Sequence, residues 1–504
     1  MKYAALTLVL LLVFSCKTEK TKTDYLGIVN VEISGKEKAI PHFEKGLLLL
    51  HSFEYEDARE EFIKAQEEDP LMPMSYWGEA MTYNHSLWGE QNYEDGAAAL
   101  DQIEGIALET SATELERDFI KAAQILYQPK TEKTLRDQDY ANFMEGLSKK
   151  YPSNHEIAAF YALSLLGSVP EGRDDTIYEK GAKIAQSVLE ENPNHPGALH
   201  YLIHSYDDPK HANLALAAAN LYSKVAPDAS HALHMPSHIY VAMGMWKEVV
   251  SSNINSYQAS LNRMNRKGLG NDARGYHAYH WLEYGYLQEA KKEEAKKMVL
   301  DMQQYASETP SKIGRLYLVY LKGTYLIETK DWVGEIASIP VNITDLNVSI
   351  RSQYHFLEGM KAYVKSDANL LDSIIDITEK DYARESFVLS NSTSKICSAV
   401  SRDEASSRDL IESKIRQTQL RALQATLKKD SALAEKYFLE SIDLEESISY
   451  SYGPPSVQKP TRELYADWLV AQNKNEAAAI QYEMILKSAP KRLLALKGIE
   501  MAKG

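Results

Sequence analysis

The chain has 504 residues, 44% of them hydrophobic and 25% charged, which excludes wholesale disorder and leaves room for several domains or one long array. Gly at 24 and Pro at 17 are too sparse for a collagen-like or turn-dense all-β chain. With 56 Lys and Arg against 71 Asp and Glu the net charge is -15, which argues against nucleic acid as a partner, and two Cys, Cys16 and Cys397, cannot build a disulfide framework or a thiolate cluster.

At the start of the chain, Lys2 followed by an apolar run over residues 4–14 predicts a secretory signal spanning 1–15. The run is too short to cross a bilayer comfortably and too apolar for a surface helix. It ends in Val13, Phe14, Ser15 and Cys16, a string that resembles the lipobox of bacterial lipoproteins. The resemblance implies cleavage before Cys16, acylation of that residue and a lipid anchor in the cell envelope. Lys17 stands where Asp would signal inner-membrane retention, so the resemblance implies the outer membrane, with the body in the periplasm or at the cell surface. An ordinary secretory signal with an incidental Cys is the alternative. Residues 16–37 are read as the lipidated Cys and a flexible tether, rich in Lys, Thr and Glu up to Asp24.

From residue 38 to 503 apolar residues recur with helical period, and long alternating strand patterns are missing, so the expected fold is all-α. Residues 40–71 carry Gly46, Ala58, Phe62, Ala65 and Pro70, at offsets that resemble positions 8, 20, 24, 27 and 32 of the tetratricopeptide repeat. Small residues at two of these positions let paired helices approach, the aromatic packs between them, and Pro stops the second helix. Tyr76, Ala80 and Tyr83 open the next unit, and Pro152, Pro193, Pro227 and Pro490 each separate two amphipathic helices. The pattern loosens through Ala295, Gly323, Gly359 and Ala434, slips at 88–92 and 167–175, and is clear again at Ala466, Ala478 and Tyr482. The resemblance implies a helical-hairpin solenoid, a right-handed superhelix of roughly ten pairs with a capping helix after Pro490 and a concave binding face.

Fourteen His occur, and nine of them fall between His195 and His280, inside a His-rich segment over 195–287. Counting from the helix-stopping prolines, His200, His204 and Asp207 take inner-face positions of one first helix, and His231, His234 and His238 those of the next. His277 and His280 follow in a third, with Tyr284 one turn on. Residues three or four apart share a helix face, so His200/His204 and His234/His238 can each chelate as pairs, and neighbouring helices bring pairs together. Imidazole without thiolate suits Zn, Cu, Fe or Ni and speaks against Mg or Ca. The candidate metal ligands are therefore His200, His204, His231, His234, His238, His277, His280 and Asp207, the last as ligand or as acceptor for a ring N–H. Asp208, His211 and Asp272 sit at loop edges and are weaker candidates. Two other readings stay open: His that satisfy helix ends and aromatic packing, and a metal-free groove for an anionic or sugar ligand. His42, His51, His85 and His355 fall at packing or end positions and are not expected to join, although Asn84 and His85 are placed to reach the groove rim.

The strings Tyr76 to His85, His195 to Asp207 and His231 to His238 resemble a set of exported bacterial tetratricopeptide-like proteins, a resemblance that carries no activity with it. A phosphate-binding Gly-rich loop, an HExxH string and a nucleophile elbow are all missing from the sequence. Three functional expectations follow. One is an envelope scaffold that recruits a protein, peptide or glycan ligand, its groove loaded with metal. The second is a metal-dependent hydrolase, with Asp207 or Tyr284 assisting proton transfer. The third is an accessory lipoprotein of polysaccharide or peptide uptake with a metal-free groove. Whether the chain is an enzyme stays open.

Overall fold

The computed structural model describes residues 25–391 and 405–504. The signal, Cys16 and Cys397 lie outside them. The described chain is an all-α solenoid of the tetratricopeptide type, built from antiparallel helix pairs in chain order.

The first pair, Ile40–His51 and Tyr55–Glu68, shows how sequence sets the stacking. Phe62 is fully buried, and its ring lies where a side chain on Gly46 or Gly78 would have to be, so both glycines are needed for helix contact. Gly78 belongs to the next helix, Pro73–Met81, and one aromatic ring thus joins two units. Capping fixes later starts. Asn154 accepts from Ile157 N (2.9 Å) at the head of His155–Gly167, and Asp174 accepts from Thr176 N and Ile177 N before Asp175–Glu191.

Two departures interrupt the pairs. Between Pro73–Met81 and Tyr93–Asp101 the chain forms the only sheet among the described residues, Asn84–His85 against Glu90–Gln91, turning through Gly89 in the left-handed region. After Lys312–Thr329 the expected second helix is replaced by irregular chain with one short turn, Ile336–Ser338. Pro340 blocks continuation, and buried Ile336, Ala337 and Ile339 fill the vacated place.

The solenoid does not leave an open inner face over the His-rich segment. The first helix packs against Pro196–Ser205, and the tip of the first hairpin reaches further still. Glu54 accepts from Ser230 Oγ and from His231 N (both 2.9 Å), while Arg263 and Lys267 donate to Asp57. From the other end, residues 447–460 run as a non-helical strap across the same face. Gln458 donates to Tyr320 O (2.8 Å), and Gly453, at φ +88°, lies so close to the Trp281 ring that no side chain fits there. The final helix, Leu493–Lys503, is tied back by Leu493 N donating to Gln288 Oε1 (2.8 Å).

Residues 25–37 correct the expected tether. Leu26 is buried, Ile28 is held by Asn194 O and Asn192 Nδ2 (3.0 and 2.9 Å), and Ser34 donates to Glu116. This stretch is laid down on the solenoid.

Candidate metal centre

Three consecutive first helices carry the cluster. Pro196–Ser205 begins with Pro at its first position, where the missing N–H is harmless, and His195 Nδ1 caps it by accepting from Ala198 N (3.2 Å). It presents His200 and His204 one turn apart. The next helix is split at Pro236 into Ser230–His234 and Pro236–Ala242, but Met235 keeps helical backbone angles. His234 and His238 therefore still share a face, with His231 beside them. His277 comes from Tyr276–Gln288.

The ring nitrogens converge. His200 Nε2 lies 3.1 Å from His204 Nε2 and 3.2 Å from His231 Nε2. His234 Nε2 lies 3.1 Å from His238 Nε2, and His277 completes a second triad. The triads adjoin: the His204 and His238 rings are 5.6 Å apart, and those of His231 and His234 6.1 Å. Asp207 lies with His204 and His238.

The opposite ring nitrogens are held by acceptors. His200 Nδ1 donates to the His51 carbonyl (2.7 Å), which leaves its Nε2 as a bare lone pair. His234 Nδ1 donates to Asn253 Oδ1 (2.7 Å), and Asn253 is oriented for this by its own Nδ2 donating to Val249 O. With Asp207 ionised, His238 Nδ1 donates to its Oδ2 (2.5 Å). In that state His234 and His238 point two lone pairs at each other across 3.1 Å, which a cation between them relieves; with Asp207 protonated, its O–H donates to His238 Nδ1 and His238 Nε2–H donates to His234 Nε2.

Burial dominates the electrostatics. His200, His204, His234 and His238 are at most 8% exposed, His231 is half-buried and His277 is exposed. Loss of hydration lowers all five buried or half-buried rings, with neighbouring His adding to it at four of them, and takes His234 and His238 down to about 3. They are neutral imidazoles at any physiological pH, the form that binds metal. Burial also raises the Asp207 carboxyl well above its ordinary range, against the pull of Arg173 and with a push from Asp208. Its Oδ1 has no hydrogen-bond partner.

A second buried trio shows what satisfied histidines look like in the same protein. His51 Nε2 donates to Glu156 Oε2 (2.7 Å) and His195 Nε2 to Oε1 (3.2 Å). His51 Nδ1 accepts from Tyr201 OH (2.9 Å), and His195 Nδ1 is already the helix cap. Every nitrogen there has a partner of opposite kind, so this trio is a hydrogen-bonded support. It bears on the cluster through the His51 carbonyl that holds His200.

Aromatic rings wall the cluster. Phe53 adopts φ 54°, a left-handed backbone that a bulky residue rarely accepts, and this turns its ring onto His200 at 4.3 Å between centroids. Trp88, at the tip of the small hairpin, meets His231 edge-on, and Trp281 packs on both His234 and His238. Tyr452 of the strap lies over His238 at 5.0 Å.

Six of the seven predicted His come together with Asp207, while His280 does not. Its Nε2 is 2.9 Å from Thr324 Oγ1 and its ring stacks on Tyr320. Tyr284 is also elsewhere, its OH accepting from Arg492 (2.9 Å). Asp208 pairs with Arg173 and His211, and Asp272 accepts from Ser311. His51, set aside from the sequence, does join through its carbonyl. Phe53, Trp88 and Tyr452 were not legible, since they reach the cluster from other units with no spacing relation to its histidines; Asn253 comes from the second helix of the pair that carries His234, a position the repeat pattern did not single out. His85, stacked on Tyr55 and edge-on to Trp88, stays at the rim.

No family model and no curated protein matches this chain. Among solved structures, Cut9 from the Cut9–Hcn1 hetero-tetramer of the APC/C is similar at 11% identity over 95% of this chain and 79% of its own, with a TM-score of 0.38. Human IFIT1, solved as a dimer with m7Gppp-AAAA, is similar at 13% identity over 94% and 96%, TM-score 0.37. A Rap protein complexed with Competence and Sporulation Factor gives 11% identity over 82% and 99%, TM-score 0.36. Superpositions this loose carry nothing about ligand or partner.

Proposed function

We propose that this protein is an envelope-anchored solenoid whose purpose is to hold transition metal in the His cluster. The observation that carries this is the set of Nε2–Nε2 separations of 3.1–3.2 Å, between rings whose Nδ1 atoms at His200, His234 and His238 are already held. Two nitrogens bound to one ion at 2.0–2.1 Å lie about 3.0–3.4 Å apart, depending on the bond angle. Neutral, buried, pre-oriented imidazoles cost little to load. Elemental analysis of the full chain without a polyhistidine tag tests the reading, beside a His204→Ala/His238→Ala double variant. Stoichiometric metal lost in a variant that keeps its helical circular dichroism is the expected result. A wild type that is metal-free and takes up neither added Zn nor Cu overturns it.

The hydrolase reading has less support, because among the described residues the one carboxylate bonded to a ring of the cluster is committed to His238. A specific observation favours a second ligand. Behind the strap lies a cavity of about 390 Å³ lined by Trp246, Tyr284, Arg408, Tyr450, Met484 and Lys487, a size that suits a small molecule. An uptake role for the protein would use that space. The anchor itself rests on the string ending at Cys16; incorporation of labelled palmitate, abolished in Cys16→Ser, is its test.

A further inference from the structure

The two triads differ from a pair of independent sites in how they are joined. His204 belongs to one and His238 to the other, their rings are 5.6 Å apart, and both are grouped with Asp207. His231 and His234 bridge the triads a second time, on one short helix. The donor set is six imidazoles with no thiolate and no anionic atom among the converging nitrogens. That composition constrains the charge of what it holds. Two divalent ions would bring four positive charges into a mostly buried space where, among the described residues, Asp207 is the one carboxylate bonded to a ring of the cluster and Glu54 reaches only the His231 backbone. Two monovalent ions would bring only two, and buried charge without compensation is costly. Of the metals that imidazole suits, copper is the one with a stable monovalent state, and that state is satisfied by three nitrogen donors.

Resting on the metal reading above, we propose that the two triads form a single dinuclear copper centre that binds dioxygen, His200, His204 and His231 holding one ion and His234, His238 and His277 the other. In the reduced protein each triad holds Cu(I). Dioxygen enters between the ions, each copper gives up one electron, and the O–O bond order falls from two to one. The product is peroxide bridging two Cu(II). Two electrons leave the metals, two arrive on oxygen, and no proton moves.

The surroundings fit a small, uncharged ligand. Phe53, Trp88, Trp281 and Tyr452 exclude bulk water from most of the cluster, while half-buried His231 and exposed His277 leave one edge toward solvent. Those same two residues are useful for testing, because replacing either removes one ligand from one triad without cutting into the apolar core.

The full chain, purified untagged in detergent, is stripped, loaded with Cu(I) under nitrogen with ascorbate as reductant, and then exposed to oxygen. The expected result is about two coppers per chain and an intense near-ultraviolet band that appears only with oxygen. Its resonance Raman O–O stretch moves when the gas is ¹⁸O₂, and the oxidised form is silent in electron paramagnetic resonance because the two Cu(II) spins are coupled. In His231→Ala and in His277→Ala the band is lost and the signal of an isolated Cu(II) appears. Two coppers per chain giving the full signal of independent Cu(II) ions would overturn the dinuclear assignment, as would one ion per chain in the wild type. Displacement of Cu(I) by equimolar zinc would overturn the choice of copper. All three of these leave metal binding intact, whereas failure of every metal to bind removes the underlying reading as well.

Discussion

His238 commits both of its ring nitrogens, Nδ1 to Asp207 and Nε2 toward His234, and its usefulness as a ligand depends on the first of these. A carboxylate accepting the N–H fixes the tautomer and makes the opposite nitrogen a better donor. Asp207 is nearly fully buried, its Oδ1 has no partner, and burial, with a smaller push from Asp208, raises its carboxyl well above the ordinary range. A cation bound beside His238 would favour the ionised form of Asp207. Asp207→Ala is therefore expected to weaken metal binding by about 10–100-fold, read by competition with a chromophoric chelator, while helical content is kept. Equal affinity in the variant would mean that Asp207 does not orient the ring. Asn253 makes a useful comparison, since it holds His234 without charge.

The first hairpin is the element on which much of the site hangs, because it supplies the His51 carbonyl, Phe53 and Glu54. Its outer side is held by Glu61, which accepts from Lys45 (2.7 Å), His42 (2.8 Å) and Lys64 (2.9 Å). Burial pushes the Glu61 carboxyl up, but these partners outweigh it and hold the group at about 2, against 4.5 when unfolded. A carboxyl depressed in the folded state contributes stability that is complete above about pH 4.5 and is lost as pH falls toward 2. Since the lysines are partly exposed, that contribution is about 1–2 kcal/mol. Glu61→Gln should lower the urea midpoint at pH 7 and lower it by only about a quarter as much at pH 2.5; an equal loss at both values would assign the effect to packing. The hairpin's own helices were legible in Gly46, Ala58 and Phe62, because repeat packing is local and leaves a fixed spacing. So were His200, His204, His234 and His238, which share helix faces. The missing second helix after Lys312–Thr329 was obscured by the loose repeat there, although Pro340 and the Asn342, Thr344, Asp345 and Asn347 that follow it are poor helix formers. The docking of Phe53 and Tyr452 on the cluster left no trace, since residues well over a hundred positions apart need share no period. His280 had the right register and still falls outside, because Thr324 and Tyr320 of the next unit claim its ring.

Across the described residues, the face that a solenoid ordinarily presents to partners is closed over the His cluster from both ends of the chain. The closing strap is held at its C-terminal side by an ion network that is buried except at half-buried Asp467. Arg492 donates to Glu463 (2.7 Å) and to Tyr284 OH (2.9 Å) and pairs with Glu328 (2.7 Å), while Lys459, at the end of the strap itself, pairs with Glu463 (2.8 Å) and Asp467 (2.7 Å). Replacing such a network by apolar groups can be neutral, but removing one partner strands the others, at about 3–5 kcal/mol. Arg492→Ala leaves Glu328 facing Gln288 alone and Glu463 facing only Lys459. The variant should unfold at lower urea by an amount of that order. Because the strap carries Tyr452 over His238, it should also release bound metal to an external chelator faster than the wild type, with all six His still present. A slower-unfolding or equally stable variant would show that the ion network does not hold the closure. Lower stability with an unchanged metal off-rate would show instead that the strap covers the cluster without controlling access, and exchange would then run through the open edge at His231 and His277.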